Sequence, residues 1–393
     1  MNKNILHSEV QSFINSHLKD DVTKLLFTGK QIHGVNIKAI VEQIEAKRKC
    51  KDKLPTWFQT EGVYFPNKLH IEQTSSETTA KYKADTISGQ LIVDITGGFG
   101  VDCFYFSKQF TKVFHCEINS KLSNIVKYNA KLLKANTIDF ISEDGIEFLK
   151  NSDVNFDWVY IDPSRRHDQK GKVFFLEDCL PHVPENLDLL FSKTEQIMIK
   201  TSPLLDISVG LKELKNVAAI HIVSVKNEVK ELLWILKKGS SESIKVCTVD
   251  ISNENEDQFD FNLDEEQHAE PTYSQPKSYL YEPNVAIYKS GAFKLVSSKL
   301  KIHKLHNNSH LYTSEELISF PGRRFKIDQV LPYNRKLLKK ELTTKANITS
   351  RNFPETVQSI RKKLNIKEGG HTYLFFTTNL LDEKIVLICS KEQ

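Results

Sequence analysis

A glycine-rich loop after an apolar run marks a place where the backbone can approach a ligand closely. The run LIVDIT is followed by Gly97, Gly98 and Gly100, and a helix-like stretch comes next. Glycine permits positive φ and leaves room beside the backbone, and nucleotide-like ligands bind at the carboxyl ends of strands in parallel α/β sheets. Because Cys103 replaces the third glycine of G-x-G-x-x-G, the loop disfavours a dinucleotide site and a dehydrogenase.

Acidic side chains stand where the next three strands are predicted to end. Glu117 follows the run VFHC, about 20 residues beyond the glycines, where a carboxylate can accept hydrogen bonds from both hydroxyls of a ribose. Asp144 and Gly145 follow TIDFIS, where an acid can accept from an adenine amino group while the next backbone N–H faces a ring nitrogen. Asp162 and Pro163 end the run FDWVYIDP. Four consecutive strand ends therefore carry polar groups suited to a nucleoside.

Strand-like and helix-like runs alternate around these loops, which predicts a parallel α/β sheet with right-handed crossovers. The last two apolar runs, ELLWILKK and IKVCTVDI, are joined by GSSES and predict a hairpin that adds an antiparallel edge strand. Upstream, residues 1–70 are predicted to form short helices, one of them capped by Asn36. The segment from Thr74 to Glu77 matches a capping box and predicts a helix to about Ala84.

The motif DITGGFGVD and the three acidic strand ends together resemble class I S-adenosylmethionine (AdoMet)-dependent methyltransferases over roughly residues 74–251. The resemblance implies AdoMet as cofactor and a Rossmann-like seven-stranded sheet with strand order 3-2-1-4-5-7-6. SSETTAKYKA, DITGGFGVD and IDPSRR, with a basic tail, are also similar to a bacterial methyltransferase group with a THUMP-like C-terminal domain, which implies RNA recognition. The cofactor-binding residues implied are Asp94, Thr96, Gly97, Gly98, Gly100, Asp102, Glu117, Asp144, Gly145 and Asp162.

The fourth strand end narrows the type of methyl transfer. After Pro163 the chain has Ser164 and Arg165, without the second proline and the aromatic residue that amino-group methyltransferases often carry to stack on a flipped base. The motif is closer to the Asp-Pro-Pro-Arg of some uracil-C5 enzymes, which need a cysteine nucleophile. Cys179 and Cys247 lie in no nucleophile motif and are predicted to be buried. Asp162 is the candidate for substrate positioning or proton acceptance, and its alternative role is to cap the following turn.

Arginine is concentrated at two places in a chain that otherwise prefers lysine. Only eight arginines occur, and five of them fall in the tail from Pro321, where fifteen Lys and Arg face seven Asp and Glu. The guanidinium group suits phosphate and carboxylate recognition, and a solvated surface is the alternative interpretation. Alternating patterns predict strand, helix, strand, helix and a hairpin in this tail. The candidate substrate-binding residues are Pro163, Arg165, Arg166, Arg323, Arg324 and Arg361.

Length and composition bound the remaining possibilities. The 393 residues carry a net charge of +4 and six scattered cysteines without a Cys-x-x-Cys pair. The cysteine pattern predicts free thiols in a reducing, cytoplasmic environment and no metal site. The N-terminus MNKNILHSEVQ has no apolar region, and no run approaches ~18 apolar residues, so we expect no signal peptide and no membrane span. The predicted domains are a helical region at 1–85, an AdoMet-binding domain at 86–251, an acidic linker with a small α+β (ferredoxin-like) module at 252–319, and a basic THUMP-like domain at 320–393.

These observations favour an AdoMet-dependent methyltransferase that acts on RNA, either tRNA or rRNA. The fold class is α/β, with an N-terminal helical region and a C-terminal α+β region. Two alternatives stay open: a methyltransferase for a small molecule or protein, and a non-catalytic AdoMet-binding module. The sequence leaves the methylated atom and the oligomeric state undetermined.

Overall fold

The computed structural model describes residues 1–165, 175–252 and 256–392, so Arg166 lies outside the described residues. The chain divides into two compact units, Met1–Ala218 with Lys230–Ser241, and Ala219–Val229 with Glu242–Gln393. Among the described residues, no helix combines the length and the apolar character needed to cross a bilayer. The four-domain division predicted above stays a prediction.

Short helices and a two-stranded ribbon form the N-terminal region. They are α1 Ser8–Ser16, α2 Val22–Leu26, β1 Gln31–Ile32, β2 Val35–Asn36, α3 Ile37–Lys53, α4 Pro55–Gln59, α5 Lys68–Gln73 and α6 Glu77–Thr86. The predicted Asn36 cap is confirmed, because its side chain accepts from Lys38 N at 2.8 Å. Ile37, Ile40, Val41 and Ile44, whose spacing places them on one face of α3, are buried.

Helix α6 forms where the sequence predicts it, but its predicted capping box is wrong. Ser76 is the N-cap, and its Oγ accepts from Thr79 N at 3.2 Å. The Glu77 carboxylate turns away to a different site, where it accepts from Thr56 N at 2.6 Å and from the Tyr105 hydroxyl at 2.8 Å. The Glu77 carboxylate therefore bonds to residues distant in the sequence instead of closing a capping box at the start of α6.

Alternating strands and helices follow. They are β3 Gly89–Asp94, α7 Val101–Phe106, β4 Phe110–Cys116, α8 Ser120–Leu132, β5 Ile138–Ile141, α9 Gly145–Asn151, β6 Trp158–Ile161, β7 Ser164–Arg165, β8 Cys179–Leu180, α10 Val183–Lys193, β9 Gln196–Thr201, α11 Ile207–Glu213, β10 Val217–Val225, β11 Val229–Lys237, β12 Lys245–Ile251 and β13 Glu256–Asn262. The main sheet has the order β13-β12-β10-β11-β9-β6-β3-β4-β5. Its seven strands from β3 to β11, without the short β7–β8 pair, follow the predicted order 3-2-1-4-5-7-6, which is confirmed.

The predicted hairpin of the last two apolar runs is wrong. Strand β11 runs antiparallel to β9, whereas β12 is parallel to β10 and antiparallel to β13. Four consecutive residues of β11, from Glu231 to Trp234, are buried, as expected for a strand covered on both faces inside a sheet. The edge strand is β13 of the acidic segment, where buried Phe259 and Phe261 alternate with exposed polar residues.

The rest of the second unit is an eight-stranded sheet with helices. Its elements are α12 Glu265–His268, β14 Thr272–Tyr273, β15 Tyr279–Pro283, α13 Val285–Ser290, α14 Phe293–Leu300, β16 His303–Lys304, β17 Tyr312–Ser314, β18 Gly322–Pro332, α15 Arg335–Glu341, β19 Asn347–Ser350, α16 Val357–Leu364, β20 Thr372–Thr378 and β21 Lys384–Lys391. The sheet order is β14-β16-β17-β15-β18-β21-β20-β19. All six elements predicted for the tail are present.

Alternation along β20 explains how the helices of the tail pack. Leu374 and Phe376 belong to a buried cluster with Leu338 of α15 and Ile360 of α16. Phe375, between them, belongs to another cluster. Because neighbouring side chains of a strand point to opposite faces, α15 and α16 cover one face of the sheet and turn their polar sides to solvent.

Candidate functional site

A cavity of about 780 Å³ opens at the carboxyl ends of the parallel strands, within the size range of small-molecule sites. Its walls come from the glycine loop after β3, the ends of β4, β6 and β9, the start of α9 and residues 73–75 before α6. Every one of these segments belongs to the first unit. The strand ends that the sequence singles out therefore meet at one site.

The glycine loop is shaped partly by packing. A Cβ on Gly97 would lie 2.4 Å from His115 Nε2, and one on Gly100 would lie 2.4 Å from Val126 Cγ1. Gly98 has φ +53°, and a Cβ there would meet nothing closer than a backbone oxygen at 3.6 Å. Gly98 is thus the loop position that leaves open space beside the backbone.

Glu117 and Asp144 both line the cavity, in different surroundings. Glu117 Oε2 accepts from Gly98 N at 3.0 Å and Oε1 accepts from Asn119 N at 2.7 Å, and burial raises the pKa of this carboxyl. Asp144 is exposed and caps α9, accepting from Ile146 N at 2.8 Å. Glu117 is therefore a half-buried acceptor fixed by two hydrogen bonds, and Asp144 also has a structural role.

Asp94 and Thr96 tie the first strand end to the fourth. Asp94 Oδ1 accepts from Thr96 N at 2.9 Å, and burial raises the pKa of Asp94 to about 7. Thr96 Oγ1 in turn accepts from Asp162 N at 2.7 Å. The predicted residues Asp94, Thr96 and Asp162 are therefore held in one hydrogen-bonded chain.

Asp162 pairs with a residue that the sequence interpretation missed. Lys200, near the end of β9, lies with its Nζ 2.7 Å from Asp162 Oδ2, and both line the cavity. Burial raises the pKa of Asp162 and Lys200 opposes that shift. Burial acts to lower the pKa of Lys200, but the carboxylates of Asp162 and Glu231 raise it, so Lys200 stays an ammonium. The position of Lys200 near the end of a predicted strand was the sequence feature that could have indicated a role at the site.

Asp102 belongs to a buried ion cluster that the sequence does not reveal. Its Oδ2 accepts from Ser75 Oγ at 2.8 Å and from the Tyr160 hydroxyl at 3.0 Å, and its Oδ1 lies 3.2 Å from Lys83 Nζ. Lys83 Nζ also lies 2.8 Å from Glu231 Oε1. Asp102 lines the cavity, so the cluster carries negative charge to its wall. Asp102 therefore has a structural role in this cluster in addition to its predicted role in binding the cofactor.

The cysteines offer no activated nucleophile within the described residues. All six are free and buried. Burial raises the pKa of Cys247 to about 11 and also raises that of Cys116, which lines the cavity. Cys179 lies in β8, opposite Arg165 of β7. Because the thiolate is the nucleophilic form, these surroundings disfavour covalent catalysis by cysteine.

Comparisons with known proteins cover both units. Residues 322–391 match a family described as THUMP domain-like, and residues 279–321 match one described as a ferredoxin-like domain. A solved structure described as a "putative methyltransferase" from Porphyromonas gingivalis W83 is 29% identical, with a TM-score of 0.89, covering 100% of this chain and 99% of that chain. The chain has a class I methyltransferase fold and a THUMP-like C-terminal domain. The resemblance stated from the sequence is confirmed.

Other solved structures match parts of the methyltransferase fold. M. capricolum TrmK, in complex with S-adenosylhomocysteine, is 17% identical with a TM-score of 0.33, covering 47% of this chain and 72% of that chain. A tRNA m1G37 methyltransferase from M. jannaschii is 19% identical with a TM-score of 0.30, covering 42% of this chain and 50% of that chain. No curated protein matches the sequence.

Three arginines of the THUMP-like domain make contacts within the second unit, two of them to Glu282 of the preceding ferredoxin-like segment. Arg323 Nε donates to buried Glu282 Oε2 at 2.8 Å, and Arg351 Nε donates to Oε1 of the same carboxylate at 3.0 Å. Arg361 Nη1 donates to the backbone oxygen of Ala346 at 3.1 Å. Their prediction as phosphate contacts is untested, but the structure gives these side chains a role in stabilising the domain.

Two histidines and a glutamate come together at one surface site in the N-terminal region. His7, Glu9 and His33 place ligand-type atoms within 4.8 Å of one another, and all three are exposed. The rings of His7 and His33 stack with centroids 3.4 Å apart. The sequence separation between His7 and His33 hid this grouping.

Proposed function

We propose that this protein is an AdoMet-dependent methyltransferase that modifies RNA. The observation that carries the proposal is the meeting of Gly98, Glu117 and Asp162 around one cavity at the strand ends of a methyltransferase fold. The alternatives, a small-molecule or protein acceptor, share the cofactor site and differ only in what reaches Asp162.

The residues around the cavity fit AdoMet. Glu117 supplies a half-buried carboxylate for the ribose hydroxyls, and Gly98 leaves the space that a side chain would fill. Asp94 and Asp102 line the same cavity, and a ligand that carries a sulfonium and an ammonium group favours the ionised form of such carboxyl groups. AdoMet would supply the activated methyl group.

Replacement of Glu117 by Ala should weaken AdoMet binding at least ~10-fold, because hydrogen bonds to a charged acceptor contribute about 1.5–3 kcal/mol each. Isothermal titration calorimetry measures this. Glu143→Ala, an exposed neighbour on the next loop, is the matched control and should bind normally. Wild-type affinity in Glu117→Ala would refute this placement of the ribose. A melting curve checks that the loss of the Gly98 and Asn119 contacts has not unfolded the variant.

The outer sides of α15 and α16 support RNA as the substrate. While Arg323, Arg351 and Arg361 hold the domain together, exposed basic side chains remain on these helices. They are Arg335, Lys336, Lys339, Lys340, Lys362 and Lys363, and Lys363 also pairs with Glu355 at 2.8 Å. Cationic surfaces of this kind bind the phosphates of nucleic acids.

RNA affinity should fall steeply with salt if this surface binds phosphates. Each phosphate neutralised on a single strand contributes about −0.7 to the log–log slope, so five contacts give about −3.5. Reversing charge at Lys336, Lys339 and Lys340 should make the slope shallower by about 2. Fluorescence anisotropy with tRNA and rRNA fragments over a salt series provides the measurement.

The matched control reverses three exposed lysines of the N-terminal region, Lys19, Lys24 and Lys30, and should keep the original slope. AdoMet affinity should be equal in both triple variants. Salt-independent or undetectable RNA binding by the wild type would argue for a small-molecule or protein acceptor instead. The six buried free thiols support the cytoplasm as the proposed location.

A further inference from the structure

We propose that the Asp162–Lys200 pair binds the lactam edge of a nucleobase, a ring N–H beside a carbonyl oxygen, and that the ring nitrogen receives the methyl group. Guanine (N1–H and O6) and uracil (N3–H and O4) both present this edge. The inference rests on the proposed function and specifies its substrate.

The pair offers a hydrogen-bond acceptor and a donor side by side. Asp162 Oδ2 and Lys200 Nζ are 2.7 Å apart, their side chains are 26% and 17% exposed, and both line the cavity. An ammonium group has three donors and a carboxylate several acceptor positions. After pairing with each other, Lys200 can still donate to a carbonyl oxygen while Asp162 accepts from the adjacent N–H.

Charge distinguishes the lactam from other nucleobase edges. An amino group or an unprotonated ring nitrogen becomes positively charged as it accepts a methyl cation, and an ammonium beside it opposes that change. A lactam nitrogen that loses its proton instead places negative charge on the neighbouring oxygen, which Lys200 stabilises. The absence of an aromatic residue at Ser164 and Arg165 is consistent with this distinction.

Apolar residues flank the pair along the chain. Leu180 of β8 lies opposite Ser164 and is followed by Pro181, and Pro203 lies three residues after Lys200; all three line the cavity. Leu180 is 54% exposed, and Leu204, which follows Pro203 in the chain, is 75% exposed. Large apolar side chains exposed beside an ion pair suit the faces of a planar base whose edge reaches the charges.

Methyl transfer to the ring nitrogen is coupled to loss of the proton on that nitrogen. The ring N–H gives its proton to the Asp162 carboxylate, and the nitrogen electron pair forms a bond to the methyl carbon of AdoMet. The carbon–sulfur bond breaks, and its electron pair goes to sulfur to leave S-adenosylhomocysteine. Lys200 keeps its own protons and stabilises the carbonyl oxygen throughout.

The test uses the full chain, methyl-labelled AdoMet and total cellular RNA, with mass spectrometry of the digested nucleosides. The expected products are 1-methylguanosine or 3-methyluridine, which distinguish the two sources of the edge. Lys200→Met should lower the labelling rate by ~10²–10³-fold, the usual effect of removing a donor from a developing anion. Lys200→Arg should recover part of that loss, and Lys237→Met, an exposed lysine of β11, should change nothing.

A binding measurement adds a readout that is independent of turnover. The affinity of the protein for the target RNA is measured with S-adenosylhomocysteine present. Replacing the target guanine by inosine keeps the lactam edge and should keep this affinity. Replacing it by 2,6-diaminopurine removes the lactam edge and should lower the affinity. For a uracil target the corresponding change is to cytosine. Lys200→Met should abolish this discrimination, whereas Lys237→Met should preserve it.

The outcomes separate the two proposals. Absence of AdoMet binding or of any RNA label in the wild type rejects the proposed function, and the inference with it. RNA labelled on an amino group, a carbon or a ribose oxygen overturns only the lactam inference. Full labelling by Lys200→Met also overturns it, whatever atom is methylated.

Discussion

Replacement of Asp162 by Asn is expected to lower the single-turnover rate of methyl transfer by ~10²–10⁴-fold, the range for loss of a general base. AdoMet affinity should change little, because the proposed nucleoside-binding groups, Glu117 and the glycine loop, lie at other strand ends. Asparagine keeps the size of the side chain and removes the proton acceptor. Rapid-quench kinetics and calorimetry on the same preparations separate the two effects.

The pH profile provides an independent check on Asp162. Burial raises its pKa, with Lys200 and Lys83 acting against that shift and Asp102 reinforcing it. A base must be unprotonated to act, so the wild-type rate should fall as the pH drops through this raised pKa, above the ordinary range for aspartate. The Asn variant should lack that acid limb.

Asp188→Asn, on the exposed side of α10, is the matched control. It should retain both the wild-type rate of methyl transfer and the decrease of that rate at low pH. A wild-type single-turnover rate in Asp162→Asn would reduce Asp162 to a structural cap. Thermal melting accompanies each assay, because the substitution also leaves Lys200 without its carboxylate.

Local sequence patterns predicted most of the fold. Alternation of apolar residues located the strands and helices of both units, and Asn36 marked the start of α3 by a contact within two residues. The error at β11 and β12 has a physical origin. A short polar turn between two apolar runs can join paired strands or lead to a strand elsewhere in the sheet. In the structure β11 pairs with β9 and is buried on both faces inside the sheet, which the turn sequence does not indicate.

The site residues that follow strands could be predicted from the sequence. The residues that are paired with side chains distant in the sequence could not. Glu117, Asp144 and Asp162 follow apolar runs at readable spacings. Lys83 and Glu231, by contrast, are 148 positions apart, and nothing local marks them as a pair. The internal contact of Arg323 was missed for a related reason, while its predicted role in binding substrate stays a prediction. Glu282 lies directly opposite Arg323 in the sheet, and strand register was not available from the sequence.

Among stability changes, we expect one of the largest from Lys83→Met. Lys83 is fully buried and lies 2.8 Å from Glu231 Oε1 and 3.2 Å from Asp102 Oδ1. Burial acts to lower its pKa, but the two carboxylates raise it, so the folded protein holds the ammonium form. Removing one partner of a buried ion pair costs about 3–5 kcal/mol, because the remaining charge is left uncompensated in a poorly solvated interior.

Urea unfolding followed by tryptophan fluorescence measures this effect in the right part of the chain, since Trp57, Trp158 and Trp234 all belong to the first unit. Lys81→Met, on the exposed side of the same helix, is the matched control and should cost at most about 1 kcal/mol. The double variant Lys83→Met/Glu231→Leu should lose less than the sum of the single variants, because it removes both charges of one pair. Strict additivity, or a stable Lys83→Met, would show that the cluster contributes packing and not charge compensation.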